Sequence, residues 1–116
     1  MKVIQYTDVE PTRIDNDIAK GINGRVVIGK ADQANNFCMR VFEIEANGYT
    51  PKHTHGWEHE IFVHQGSGQV FNQGKWDDIV AGSIVFIPGE EEHQFKNTGT
   101  LPLVFACLIP SGIPEL

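Results

Sequence analysis

The sequence predicts an all-β sandwich or barrel. Short apolar, β-branched runs recur along the whole chain, separated by Gly, Pro and Asn turn signals. No stretch holds helical periodicity long enough to make a helix of useful length. At 116 residues, with no repeat, no low-complexity tract and no linker, the chain reads as one domain spanning 1–116.

The elements follow in order. Residues 3–6, VIQY, suit a short strand, and Pro11 interrupts what comes next. Residues 14–20, IDNDIAK, offer at most one helical turn. Gly21 and Asn23-Gly24 read as turns. Arg25 to Lys30, RVVIGK, is a β-branched strand, and Ala31 to Asn36 a polar connection. Phe37 to Glu45, FCMRVFEIE, is the longest strand and ends at Asn47-Gly48. Gln65 to Gly68 reads as a hairpin turn, and so does Gln73-Gly74 between Gln69–Asn72 and Lys75–Val80. Ser83 to Ile87 is apolar and stops at Pro88-Gly89. His93 to Lys96 is a short strand, Asn97 to Thr100 a turn, and Leu103 to Ile109 a last buried strand ended by Pro110.

Bulk properties exclude several functions. The formal charge of −6 and the lack of a Lys/Arg cluster argue against nucleic acid and anionic membranes as partners. No apolar run approaches the ~20 residues of a membrane helix. The apolar stretch in MKVIQYTDVEP is too short for a signal peptide. Cys38 and Cys107 form no paired framework, so a reducing cytoplasm is the expected compartment.

The chemistry concentrates in residues 48–66, GYTPKHTHGWEHEIFVHQG, which hold four of the five histidines. His53 and His55 point the same way along a strand of period two. Gly56 to His59 turn the chain into a new strand, on which His59, Ile61 and Val63 share one face and Glu60, Phe62 and His64 the other. His93 follows in PGEEEHQF. Imidazole is the commonest metal ligand, and such a cluster is the main sequence sign of a metal site.

This segment resembles the first motif of the cupin superfamily, and Gly82, Pro88, His93 and Asn97 in GSIVFIPGEEEHQFKN resemble the second. Three departures stand out. Four residues separate Gly48 from His53, where the motif has five. Glu90 stands where the second motif has glycine, and His59 occupies the usual acidic-ligand position. The whole pattern is similar to the small single-domain cupins whose manganese is held by four histidines. The resemblance implies a cupin-type double-stranded β-helix, a jelly-roll barrel. It also implies one divalent metal on His53, His55, His59 and His93, with manganese first and iron, zinc or nickel as alternatives.

Other residues divide by face. His64 lies opposite His59 and reads as a surface or interface side chain; Glu58 and Glu60 read as solvated charge, or else as outer partners of a ligand imidazole. Trp57 sits in the turn, where it either packs over the site rim or caps the core. Arg40 either faces solvent or points into the barrel, where it suits an anionic substrate. Phe95 shares a face with His93, and Ile61 with His59. Leu103, Phe105, Cys107 and Ile109 share one face of the last strand, and the resemblance implies Phe105 and Cys107 as pocket residues. The expected substrate pocket is therefore Arg40, Ile61, Phe95, Phe105 and Cys107.

Four neutral ligands leave the full charge of a divalent ion uncompensated, which favours a small anionic or chelating organic substrate. The leading expectation is a dioxygenase-like metalloenzyme. The alternatives are a non-redox isomerase or lyase of a sugar or keto-acid derivative, with Glu58, Glu60 or a metal-bound hydroxide as base, and a non-catalytic small-ligand-binding module. Phe62, opposite the ligand face, together with uncovered sheet edges at 3–6 and 25–30, predicts a homodimer.

Overall fold

The computed structural model describes residues 1–116. Nine strands form one curled sheet: β1 Thr12–Ile14, β2 Lys20–Ile28, β3 Phe37–Tyr49, β4 His59–Gln65, β5 Ser67–Asn72, β6 Lys75–Val80, β7 Ile84–Ile87, β8 Phe95–Asn97 and β9 Leu103–Pro110. The main order is β6-β5-β8-β3-β9-β4-β7, with β2 and then β1 also attached through β3. Every ladder is antiparallel. Such a curled antiparallel sheet, with strands distant in sequence lying side by side, is a jelly-roll arrangement. No helix is long and apolar enough to cross a membrane.

Four local expectations are corrected. Residues 3–6 form no strand, and the only regular element nearby is a 3-10 turn at Tyr6–Asp8. Residues 14–20 contain no helical turn; they run from the end of β1 into β2. Gly21 and Asn23-Gly24 are not turns but lie inside β2, and Gly21, at φ +67°, takes up a register shift between Lys20 and Ile22. Gln65 to Gly68 is not a hairpin, because β4 pairs with β7 and β9 whereas β5 pairs with β6 and β8. Gly66 makes this corner. Its φ is +88°, and a Cβ there would collide with the Pro102 carbonyl oxygen. The hairpin at Gln73-Gly74 forms as expected.

The inward faces of the strands build a single main core. Ile22, Ile44, Val63 and Leu103 are fully buried, and Phe95, Phe105, Cys107 and Ile109 pack with them. Alternation in β4 matches the sequence reading, with His59, Ile61 and Val63 buried and Glu60, Phe62 and His64 exposed. Asn97, the last residue of the second motif, has a structural task. Its amide donates to the carbonyls of Ile44 and Leu101 and accepts from the Gly99 N–H, which closes the β8–β9 corner.

Candidate metal centre

Three segments converge on one end of the core. The 51–55 segment brings His53 and His55, the start of β4 brings His59, and the 88–95 segment brings His93. His53 and His93 lie in an isolated antiparallel bridge, each backbone N–H donating to the other's carbonyl at 3.2 and 3.0 Å. The loop after β7 is tied to the first motif as well, since Glu90 N–H donates to the His55 carbonyl at 2.7 Å. Glu90 sits at φ +68°, the left-handed conformation that glycine accepts most easily.

The ligand atoms of His53, His55 and His93 lie within 4.8 Å of one another and form a group that can hold a metal ion. His59 falls outside that group of three but borders it. Its Nε2 is 2.8 Å from His55 Nε2, and its ring centre is 4.9 Å from that of His93. At that separation one ion could lie within ~2.1 Å of both nitrogens.

Outer contacts orient three of the rings alike. Nδ1 of His53 donates to the Pro51 carbonyl at 2.8 Å, that of His55 to Trp57 at 3.0 Å, and that of His93 to Glu91 at 2.9 Å. With Nδ1 protonated, each Nε2 lone pair is free for a metal. Trp57 also stacks on His55, with centroids 4.1 Å apart and planes 9° from parallel. The donor set and its orientation fit a divalent ion.

His59 has a different outer contact. Its Nδ1 lies 3.2 Å from Cys107 Sγ and 3.2 Å from Arg40 Nη2, and Arg40 Nη2 lies 3.0 Å from the same sulfur. The β3–β9 register sets this triangle, because Arg40 is the cross-strand partner of Cys107. Arg40 thus points into the barrel, not to solvent, and is 8% exposed. It makes no ion pair, and its Nε–H has no hydrogen-bond partner. Nη1 reaches only the Glu115 backbone carbonyl, at 3.3 Å. A guanidinium buried without a carboxylate leaves the cavity positive.

Burial, and after it the Arg40 charge, lowers the His59 pKa to about 3. Burial also lowers His93 and His55. All three are therefore neutral, the form that ligates metal, at physiological pH. Burial pushes the Cys107 thiol up, against an opposing pull from Arg40.

These groups border a cavity of about 260 Å³. All five residues expected in the pocket, Arg40, Ile61, Phe95, Phe105 and Cys107, line it beside the four histidines and Trp57. The lining also includes Phe42, Ile22 and Leu116, and no Asp or Glu side chain belongs to it. Phe42 was legible, because it shares the face of Arg40 on β3; Leu116 was not, because it lies on a tail without periodicity. Glu58 and Glu60 are exposed and do not border the cavity, which removes them as candidate bases.

The Cupin domain family model matches residues 40–109. The chain belongs to the cupin family. This cupin is 28% identical over 113 residues to an oxalate-binding protein of Thermotoga maritima, an alignment covering 92% of each chain. Its structure superposes on the polyketide cyclase RemF of Streptomyces resistomycificus with a TM-score of 0.88 and 35% identity, covering 95% of this chain and 79% of the other. A Thermotoga maritima structure described as a predicted oxalate decarboxylase gives a TM-score of 0.83 and 25% identity, covering 94% and 98%.

Proposed function

We propose that this cupin is a metal-dependent enzyme acting on a small, largely apolar molecule that presents a chelating pair of oxygens, at least one of them anionic. Enolates, phenolates and β-dicarbonyls have that chemistry. The metal is held by His53, His55, His59 and His93. Manganese is our assignment, from the resemblance to four-histidine cupins; iron, zinc and nickel suit the same imidazoles. A bound ion supplies Lewis acidity and, with manganese or iron, redox capacity.

The observation that carries this reading is the cavity wall. Neutral imidazoles and the unpaired Arg40 favour negative charge, and Phe42, Phe95, Phe105 and Ile61 offer apolar surface. Phe95 and Phe105 stack with centroids 4.8 Å apart, and Phe105 continues to Phe42 at 5.7 Å. Such a wall suits a planar, conjugated substrate. A substrate that binds as its anion needs no acidic side chain as base, in keeping with a lining that has no Asp or Glu. This favours carbon–carbon chemistry through a stabilised enolate, and the likeness to a polyketide cyclase supports it. Oxalate suits the cationic groups but has no apolar surface to set against the aromatic wall.

Oxygenase-type chemistry is the second reading. It is favoured by the apolar groups around the metal position, which keep stray protons from reactive oxygen species. The protein loaded with zinc and, separately, with manganese is assayed on aromatic β-diketones and catechols, with and without oxygen. Equal turnover with zinc under anaerobiosis supports the enolate reading; turnover only with manganese and oxygen supports the oxygenase. Tight oxalate binding with no turnover of any probe supports a binding module instead.

A further inference from the structure

Three of the four site histidines donate Nδ1–H to a backbone carbonyl, and no backbone acceptor stands opposite His59 Nδ1. We infer that Cys107 is the positioning residue for His59, its sulfur accepting the His59 Nδ1–H and thereby turning the Nε2 lone pair toward the metal. This rests on the four-histidine reading above.

The geometry supports the role in three ways. Sulfur is the one acceptor the triangle offers to a proton on His59 Nδ1, since a guanidinium has donors only. Arg40 Nη2 and His59 Nδ1 lie 3.0 and 3.2 Å from it, so both N–H groups can point at one sulfur even though the two nitrogens are themselves 3.2 Å apart. Arg40 also restrains the sulfur, being the cross-strand partner of Cys107. A backbone carbonyl cannot be removed by mutation, but this acceptor can. Among the four rings, His59 is therefore the one whose orientation depends on a replaceable side chain. The opposite tautomer, with Arg40 donating to Nδ1, would place a proton on Nε2 and take His59 out of the ligand set.

The test measures the affinity of the protein for cobalt(II) alone, by competition with a chelating dye, together with the visible spectrum of the cobalt-loaded protein. Wild type is compared with Cys107→Val, Cys107→Ser and His59→Gln, each checked for folding by its metal-free melt. Valine removes the acceptor at similar size, and serine restores one. Loss of a ligand's outer partner weakens metal binding by roughly 10–100-fold. We expect that loss in Cys107→Val, with a changed cobalt spectrum, and an affinity and spectrum close to wild type in Cys107→Ser. If Cys107→Val does not fold, Cys107→Ala takes its place, since it removes the acceptor without adding volume. Unchanged affinity in the valine or alanine variant while His59→Gln loses metal overturns the inference alone. Serine failing to restore binding also overturns it. Unchanged affinity in His59→Gln overturns the four-histidine reading on which it stands.

Discussion

His53 and His93, forty residues apart in sequence, exchange a pair of backbone hydrogen bonds, so the two cupin motifs are joined at these two histidines. A metal held by both side chains would clamp the same bridge from the other side. Metal addition should therefore stabilise the fold, by about 2.7 kcal/mol at a free concentration 100 times the dissociation constant. Calorimetric melts with and without chelator measure it. Hydrogen exchange should show the His53 and His93 amides among those most slowed by metal. An unchanged melting temperature would argue that no ion bridges the motifs.

The metal-free protein should lose stability as pH falls. The folded-state pKa of His59 is about 3, below its unfolded value near 6.5, and burial lowers His55 and His93 in the same direction. The unfolded chain then binds more protons in this range. The contribution is fully present above pH ~6.5 and is lost progressively toward pH ~3. His59 alone should cost about 2 kcal/mol at pH 5. Urea titrations of metal-free protein at pH 7 and pH 5 test the sign, and His59→Gln should flatten the dependence.

Arg40 should trade stability for ligand binding. Its buried charge has no ion-pair partner, and its Nε–H no acceptor. Arg40→Met should raise the stability of the metal-free protein by about 1 kcal/mol or more, because replacing a buried charge with apolar volume is often stabilising. The same change should weaken binding of an anionic chelator such as a catecholate to the metal-loaded protein by roughly tenfold. Stability lost together with unchanged affinity would mean that Arg40 serves packing alone.

The outer face of β4 and β7 should be a homodimer surface. Phe62, Ile84 and Phe86 are all largely exposed, and Phe62 is the cross-strand neighbour of Ile84. β7 is also a terminal strand of the sheet. A contiguous apolar face beside an open edge is the usual mark of an interface. The sequence expectation needs correction in one detail, since residues 3–6 are not a strand; on β2, the β1 ladder reaches only residues 22–24. Sedimentation at micromolar concentration should give a dimer, and Phe62→Glu a monomer; a monomeric wild type would contradict this.

Much of the site was legible because strand alternation and motif spacing are local. They placed His59 and Ile61 on one face and Phe62 and His64 on the other, as observed. They left Arg40 undecided, since parity tells that it shares a face with Phe42 but not which face looks inward; the β3–β9 register settles that by setting Arg40 against Cys107. Turn signals misled wherever glycine served a different purpose. Gly21 accommodates a bulge within β2, and Gly66 turns a corner between strands that never pair. Glu90 shows the converse, a non-glycine residue held at φ +68° by the loop that reaches the His55 carbonyl.

The histidines of both motifs should hold one divalent metal per chain. The check is metal content per chain, by mass spectrometry after equilibration with manganese and desalting. Wild type should retain about one equivalent, and His53→Ala/His55→Ala and His93→Ala almost none, with folds intact by circular dichroism. Full occupancy in the folded double variant would mean that the metal does not sit on the first-motif histidines.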